Sequence, residues 1–183
     1  MNWLNNKERY GALSIALHWL MALLIAAVYA CIVLREKFPK GSAIAKNLET
    51  WHSMLGLFVL VLLVLRIAAQ FFGTPPQLQP TMPKWQNYIA QSMHLALYAF
   101  MFAMPLVGWL LLSAEGEDIP YFGLHLPALI SQSKSSAEWI KEVHEVGGII
   151  GYILIGIHAF AALYHHYFLR DNCLWHMLPW RAK

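Results

Sequence analysis

Apolar residues fall in four long blocks, roughly 12–34, 51–73, 88–112 and 142–169, with short polar connectors between them. Each block is about as long as the ~20 residues a helix needs to cross the hydrocarbon core of a bilayer. The pattern therefore predicts an all-α protein: a transmembrane four-helix bundle that forms one integral membrane domain over residues 1–183. Punctuation supports these limits. A polar N-terminus runs to Tyr10, and the first connector, Arg35 to Thr50, carries Arg35, Lys37, Lys40 and Lys46. The second block reaches Gly73 just before Thr74-Pro75-Pro76, and a proline pair cannot continue a helix. Pro105 predicts a kink in the third block. The longest connector, Ser113 to Lys141, is acidic at first and then rich in Ser and Lys. The chain closes on Arg181-Ala182-Lys183.

Composition narrows the class. Of 183 residues, 58% are hydrophobic and 13% charged, and the mean hydropathy is +0.46, whereas soluble domains carry about a quarter charged residues. A net charge of +3 is far from the clustered basic face of a nucleic-acid binder. Two cysteines make no disulfide framework, and no C-x-x-C-H offers covalent haem attachment. Neither a Walker loop nor G-x-G-x-x-G is present. Four spans put both termini on one side, where seven of the 13 Lys and Arg residues lie if Arg66 of span two is included; the opposite side holds six with eight acids. By the positive-inside rule the termini are expected in the cytoplasm. Trp3, Trp85, Trp175 and Trp180 mark one interface, and Trp51, Trp109 and Trp139 the other. Val28-Tyr29-Ala30-Cys31 has a faint likeness to a lipoprotein cleavage site. Tyr29 fits that pattern poorly and the apolar run exceeds the ~7–15 residues of a signal-peptide core, so the first helix is expected to stay uncleaved. Cys31 and Cys173 then lie on opposite sides of the membrane and cannot pair, since bridged Cα atoms sit within about 7 Å.

The chemistry lies in the histidines. There are nine, and an ionisable side chain inside a span is costly enough to be read as functional. His18 and His94 come early in spans one and three, towards the cytoplasm. His52 opens span two on the other side, and span four carries His144 near that side and His158 towards the cytoplasm. Fourteen residues separate His144 from His158, which returns the helix to within about 40° of the same face after a rise of about 21 Å. One face of the fourth helix thus offers two imidazoles at two depths, matched by His52 and by His18. Two stacked bis-histidine pairs suit two haem irons held between facing helices of a bundle. A flat macrocycle also needs small neighbours. Gly56 and Gly148 follow His52 and His144 by four residues, Ala22 and Ala162 follow His18 and His158, and Gly151 lies midway between the span-four histidines. Tyr98 follows His94 by four, which leaves His94 outside the ligand set.

Arg66, deep in span two at the cytoplasmic haem level, could pair with a haem propionate or a quinone oxygen. His165, seven residues after His158 and on its face, could shuttle a proton to a bound quinone. His125 and His176 receive no role. A histidine-lined metal or proton transporter is the alternative of another class, because histidine binds zinc and copper readily. The absence of an intramembrane Asp or Glu and of an inverted repeat counts against it.

His18-Trp19-Leu20, Trp51-His52-Ser53 with Gly56, Pro75-Pro76, Met93-His94-Leu95 with Tyr98, His144, His158-Ala159, His165-His166-Tyr167-Phe168 and Asp171-Asn172 together resemble the bacterial cytochrome b561 family, over almost the entire chain. The resemblance implies two non-covalent b haems, one on His18 and His158 and the other on His52 and His144. For a stand-alone member it implies superoxide oxidase activity in the bacterial inner membrane: periplasmic superoxide is oxidised to oxygen and ubiquinone is reduced, with no protein partner required. The arrangement is also similar to the cytochrome b subunits of membrane formate dehydrogenases and hydrogenases. A relay between a periplasmic dehydrogenase and quinone is therefore the alternative within redox chemistry.

Overall fold

The computed structural model describes residues 3–7, 9–71, 74, 76 and 83–178; the expectations for Gly73, Pro75, Trp180 and Arg181-Ala182-Lys183 lie outside them. Four long helices dominate: α1 (Ala12–Arg35), α2 (Ala43–Phe71), α3 (Lys84–Glu115) and α4 (Lys134–Tyr164). All four are long and apolar enough to cross a membrane, so this is a multi-pass membrane protein with an all-α bundle.

Two helices start earlier than their apolar blocks suggest. α2 begins at Ala43 rather than near Trp51, and α4 at Lys134 rather than near Glu142. α4 opens on polar residues, and the first two turns of α2 mix Ala43, Ile44 and Ala45 with Lys46, Asn47, Glu49 and Thr50, so neither start belongs to a long apolar run. Caps mark the true starts: Ser42 Oγ accepts from Ala45 N–H at 3.2 Å, and Ser133 Oγ from Ser136 N–H at 3.3 Å. Each satisfies a donor that the first helical turn leaves without an internal partner. Pro105 does not end α3, which runs on to Glu115. That helix stops at Gly116, whose φ of +73° favours glycine. Gly116 N–H bonds Ser113 O and Glu117 N–H bonds Leu112 O, both at 3.1 Å, the paired closure of a Schellman motif.

The connector between α3 and α4 contains a small antiparallel hairpin, β1 (Pro120–Tyr121) with β2 (Leu124–His125), paired Pro120 to His125 and Tyr121 to Leu124. Its two-residue turn, Phe122-Gly123, has φ of +46° and +87°, the sign pattern of a type I′ turn. Phe122 is held in this unfavourable conformation by ring contacts with Trp51 and Phe58 of α2.

Packing is uneven around the bundle. The main core, Met21, Leu24, Val59, Leu62, Leu63 and Met101, joins α1, α2 and α3. A second cluster, Ala114, Ala137 and Ile140, locks α4 to α3 at the hairpin end. Close backbone approaches link α1 with α2, α2 with α3, and α3 with α4; among the described residues α4 makes hardly any with α1 or α2. A gap therefore separates α4 from the first two helices, and the histidines face one another across it.

Candidate functional site

At the hairpin end, the ring centroids of His52 and His144 are 6.1 Å apart with planes at 82°. At the end bearing both termini, those of His18 and His158 are 6.3 Å apart with planes at 68°. Elementary geometry gives these separations meaning. A five-membered ring with bonds of about 1.33 Å puts each nitrogen about 1.1 Å from its centroid. Two metal–imidazole bonds of about 2.0 Å then require a centroid separation of about 6.2 Å. Both pairs meet this span, whereas imidazoles in direct hydrogen-bonding contact would sit closer. His94 also approaches His158, with centroids 5.6 Å apart, short of the span that one shared metal requires.

The hairpin-end pair opens on a cleft lined by His52, His144, Gly56, Gly148, Val28 and Met104 among other residues. His52 Nδ1 lies 2.9 Å from Val28 O. A carbonyl only accepts, so Nδ1 carries the hydrogen and Nε2 keeps a lone pair, the arrangement found in metal-ligating histidines. His144 Nδ1 is buried without a hydrogen-bond partner among the described residues. A Cβ placed on Gly56 or Gly148 would meet nothing within 4 Å, so the space beside both glycines is free of protein. Gly151 behaves differently. A Cβ there would overlap the Phe100 ring and the Tyr29 hydroxyl, so this glycine serves close helix packing and not a macrocycle. Tyr29 spans the gap, donating to Gly148 O at 2.8 Å and meeting the Tyr152 ring at 4.1 Å with the two planes tilted by 38°. The donor set and the free space fit a flat bis-imidazole cofactor.

The termini end is more polar. Arg66 Nε reaches Tyr98 Oη at 3.4 Å, Gln70 Nε2 also donates to Tyr98 Oη, and Arg66 Nη1 is buried with no partner among the described residues. α4 ends in a wide π turn, His165–Leu169, followed by Arg170 at φ +54°. This turn brings His165 Nδ1 to 2.5 Å from Asp171 Oδ2. The rest of the tail folds across the N-terminal segment: Trp19 Nε1 donates to Met177 O at 2.7 Å, and Arg9 donates to Leu178 O. Burial beneath this cap raises the Tyr10 hydroxyl and the Cys173 thiol above their ordinary ranges. The same burial lowers the His176 imidazole, against the opposing pull of Asp171.

The family model for prokaryotic cytochrome b561 matches residues 9–180. The chain belongs to that family. It is similar to cytochrome b561 homolog 1 of Escherichia coli (strain K12), 36% identical over 174 residues that cover 95% of this chain and 99% of the relative. It is also similar to the probable superoxide oxidase CybB of Yersinia pestis, 32% identical over 94% of this chain and 97% of that one. Cytochrome b561 homolog 2 of Escherichia coli (strain K12) is 28% identical over 97% and 95%. Family membership makes this an electron-transfer protein, and a b-type haem is the cofactor it implies.

Within that cytochrome b561 frame, the structure adds partners that the sequence did not single out. His94 joins His158, although Tyr98 one turn later had set it aside; Tyr98 instead turns its hydroxyl to Arg66 and Gln70. Early position in α3 was the available signal, because it sets His94 at the depth of His18. Asp171 appeared only as part of a motif, and its contact with His165 depends on the π turn. Among the described residues no group of three or more His, Cys, Asp or Glu side chains is arranged to hold a metal ion.

Proposed function

We propose that the protein is a superoxide:ubiquinone oxidoreductase of the bacterial inner membrane, with both termini in the cytoplasm and two non-covalent b haems. In this reading His52 and His144 hold the periplasmic-side haem, and His18 and His158 the cytoplasmic-side haem. The observation that carries it is the pair of imidazole separations, 6.1 and 6.3 Å, at opposite ends of one bundle. Each haem, when bound, supplies an iron that gains and loses one electron. The probable superoxide oxidase of Yersinia pestis, similar along nearly its whole length, supports superoxide as the donor.

The chain's own residues supply the rest. Lys37, Lys40 and Lys46 are exposed at the hairpin end and raise the local concentration of a small anion. Arg35 is less available, since it pairs with Glu49 at 2.5 Å. At the other end, Arg66 offers its unpartnered Nη1 to a haem propionate or a quinone oxygen, and His165 supplies a proton. Two superoxide anions, one ubiquinone and two protons give two molecules of oxygen and one ubiquinol, so protons are needed only where quinone is reduced. His165 lies one end of the bundle away from superoxide, as that balance requires.

Pyridine haemochrome analysis of the purified protein should find two b haems per chain. Stopped-flow pulses of superoxide should then reduce them, and added ubiquinone-1 should reoxidise them, with no other protein present. Full haem loading without reduction by superoxide would favour an electron relay from a periplasmic dehydrogenase. A protein that takes up no haem would overturn both.

A further inference from the structure

Asp171 is a buried carboxylate at the termini end; its side chain is 4% exposed beside that of His165 at 18%. No role in holding a haem accounts for it. Burying a carboxylate is costly unless its oxygens are hydrogen-bonded, and both are engaged here. Oδ2 meets His165 Nδ1 at 2.5 Å, and Oδ1 accepts from Cys173 N–H at 3.0 Å. The backbone is shaped for this contact. The α-helix widens into a π turn at His165, Arg170 adopts a left-handed conformation, and Asp171 N–H returns to His165 O at 3.3 Å. π turns inside helices occur often at functional sites, and a non-glycine residue in the left-handed region costs about 1–3 kcal/mol. The chain accepts that cost at the one place that folds the carboxylate back onto the imidazole.

His165 follows His158 by seven residues, so it lies within about 20° of the same helix face and about 10 Å further along it. With Nδ1 committed to a carboxylate, only Nε2 is left to exchange a proton. The carboxylate fixes the tautomer and ring orientation, as an aspartate does behind a catalytic histidine.

We propose that Asp171 is a positioning residue that holds His165 as the proton donor to a quinone reduced at the termini end. The assignment rests on the quinone-reducing reading above. The step balances as follows. The quinone takes two electrons, originally from two superoxide anions, and two protons. His165 delivers a proton from Nε2 to a quinone oxygen and regains one from the aqueous side, while Asp171 accepts from Nδ1–H throughout.

The test compares an acceptor that needs protons with one that does not. Haem-loaded full-length protein, reduced stoichiometrically, is mixed with ubiquinone-1 or with ferricyanide, and haem oxidation is followed by absorbance. Asp171→Asn should lower the maximal rate with ubiquinone-1 by about 10–100-fold with little change in the half-saturating quinone concentration, the scale of losing an orienting partner or a general acid. The ferricyanide rate should be unchanged, and Asp171→Glu should restore most of the quinone rate. His165→Asn should match Asp171→Asn, and the double variant should be no slower than His165→Asn alone, because coupled residues are non-additive. Equal ubiquinone-1 rates for wild type and Asp171→Asn would refute the proposal. So would parallel loss of the ferricyanide rate, or multiplicative losses in the double variant. If reduced wild-type protein passes no electrons to ubiquinone-1, the quinone reading itself fails and this assignment falls with it.

Discussion

Gly148→Leu separates a slot built for a cofactor from a mere packing defect. In the protein alone, a Cβ at Gly148 meets nothing within 4 Å, and Gly148 accepts the Tyr29 hydroxyl's hydrogen bond through its backbone carbonyl. A leucine there therefore enters the cleft through a Cβ that meets no protein atom, and the helix gains a better helix former than glycine by up to about 1 kcal/mol. The cost appears only when the cleft between His52 and His144 is filled. Forcing extra methyl groups into a filled, well-packed site costs about 1–3 kcal/mol, which at about 1.4 kcal/mol per tenfold weakens haem retention by about 5–150-fold. The reasoning applies equally to Gly56, whose Cβ also points into free space, so Gly56→Leu/Gly148→Leu should lose the hairpin-end haem outright. Gly151→Ala is the opposite case. Its Cβ overlaps Phe100 and Tyr29, so it should lower thermal stability while both haems remain. Haemochrome counts and thermal unfolding of the purified variants provide the measurement. A Gly56→Leu/Gly148→Leu protein with two haems per chain would show that this cleft holds no macrocycle.

His52→Ala and His158→Ala should each bind one haem, and His94→Ala should retain both, because 5.6 Å between the His94 and His158 rings is too short for an iron between them; equal haem loss in the His94 and His158 variants refutes that exclusion. Tyr29→Phe deletes the 2.8 Å bond to Gly148 O and should cost about 0.5–1.5 kcal/mol in thermal unfolding with haem content unchanged. His176 is held below the ordinary imidazole range by burial and by Arg9, with Asp171 opposing. Folding therefore favours its neutral form, and its contribution is present above about pH 6.5 and lost as the pH falls below that. Protection across 170–178, measured as exchange relative to the intrinsic amide rate at each pH, should fall on acidification in the wild type and much less in His176→Gln.

The four spans were legible because apolar length is a direct reading of the solvent that surrounds a helix. The depth and pairing of His18 with His158 and of His52 with His144 were legible for a related reason: helical rise and period fix where two positions of α4 lie, and short connectors force neighbouring helices to run in opposite directions. The azimuth of one helix against another is not encoded in that period. The approach of His94 to His158 was therefore not legible, since whether His94 faces α4 depends on how α3 rolls against its neighbours. Gly151 was read as part of the cofactor surface for the same reason, and in fact it receives Phe100 and Tyr29. The early starts of α2 and α4 depend on caps at Ser42 and Ser133 outside the apolar blocks. The Asp171–His165 contact was out of reach because a π turn and a left-handed arginine, not a regular repeat, bring the two together.

Arg66 extends the argument from geometry to charge. Its guanidinium is partly buried in α2, Nε makes a long contact to Tyr98, and Nη1 has no partner among the described residues. Neither carboxylate that forms an ion pair among those residues, Glu49 or Asp171, is paired with it. A buried charge without a counter-ion destabilises a protein by several kcal/mol, so the site calls for an anion that the chain itself does not supply. A haem propionate meets that need, and the consequence is a sign that a structural role cannot produce. Reduction of the iron adds one negative charge, which a nearby cation stabilises. Arg66→Met should therefore lower the midpoint potential of the His18–His158 haem, by about 59 mV for each ~1.4 kcal/mol of attraction lost, while Arg66→Lys keeps most of it. The potential of the His52–His144 haem should barely move, since it lies at the other end of the bundle. Redox titration of the two α-bands checks both. An unchanged potential at both haems, in a variant that still binds them, would mean that Arg66 answers to the quinone or to water and not to a propionate.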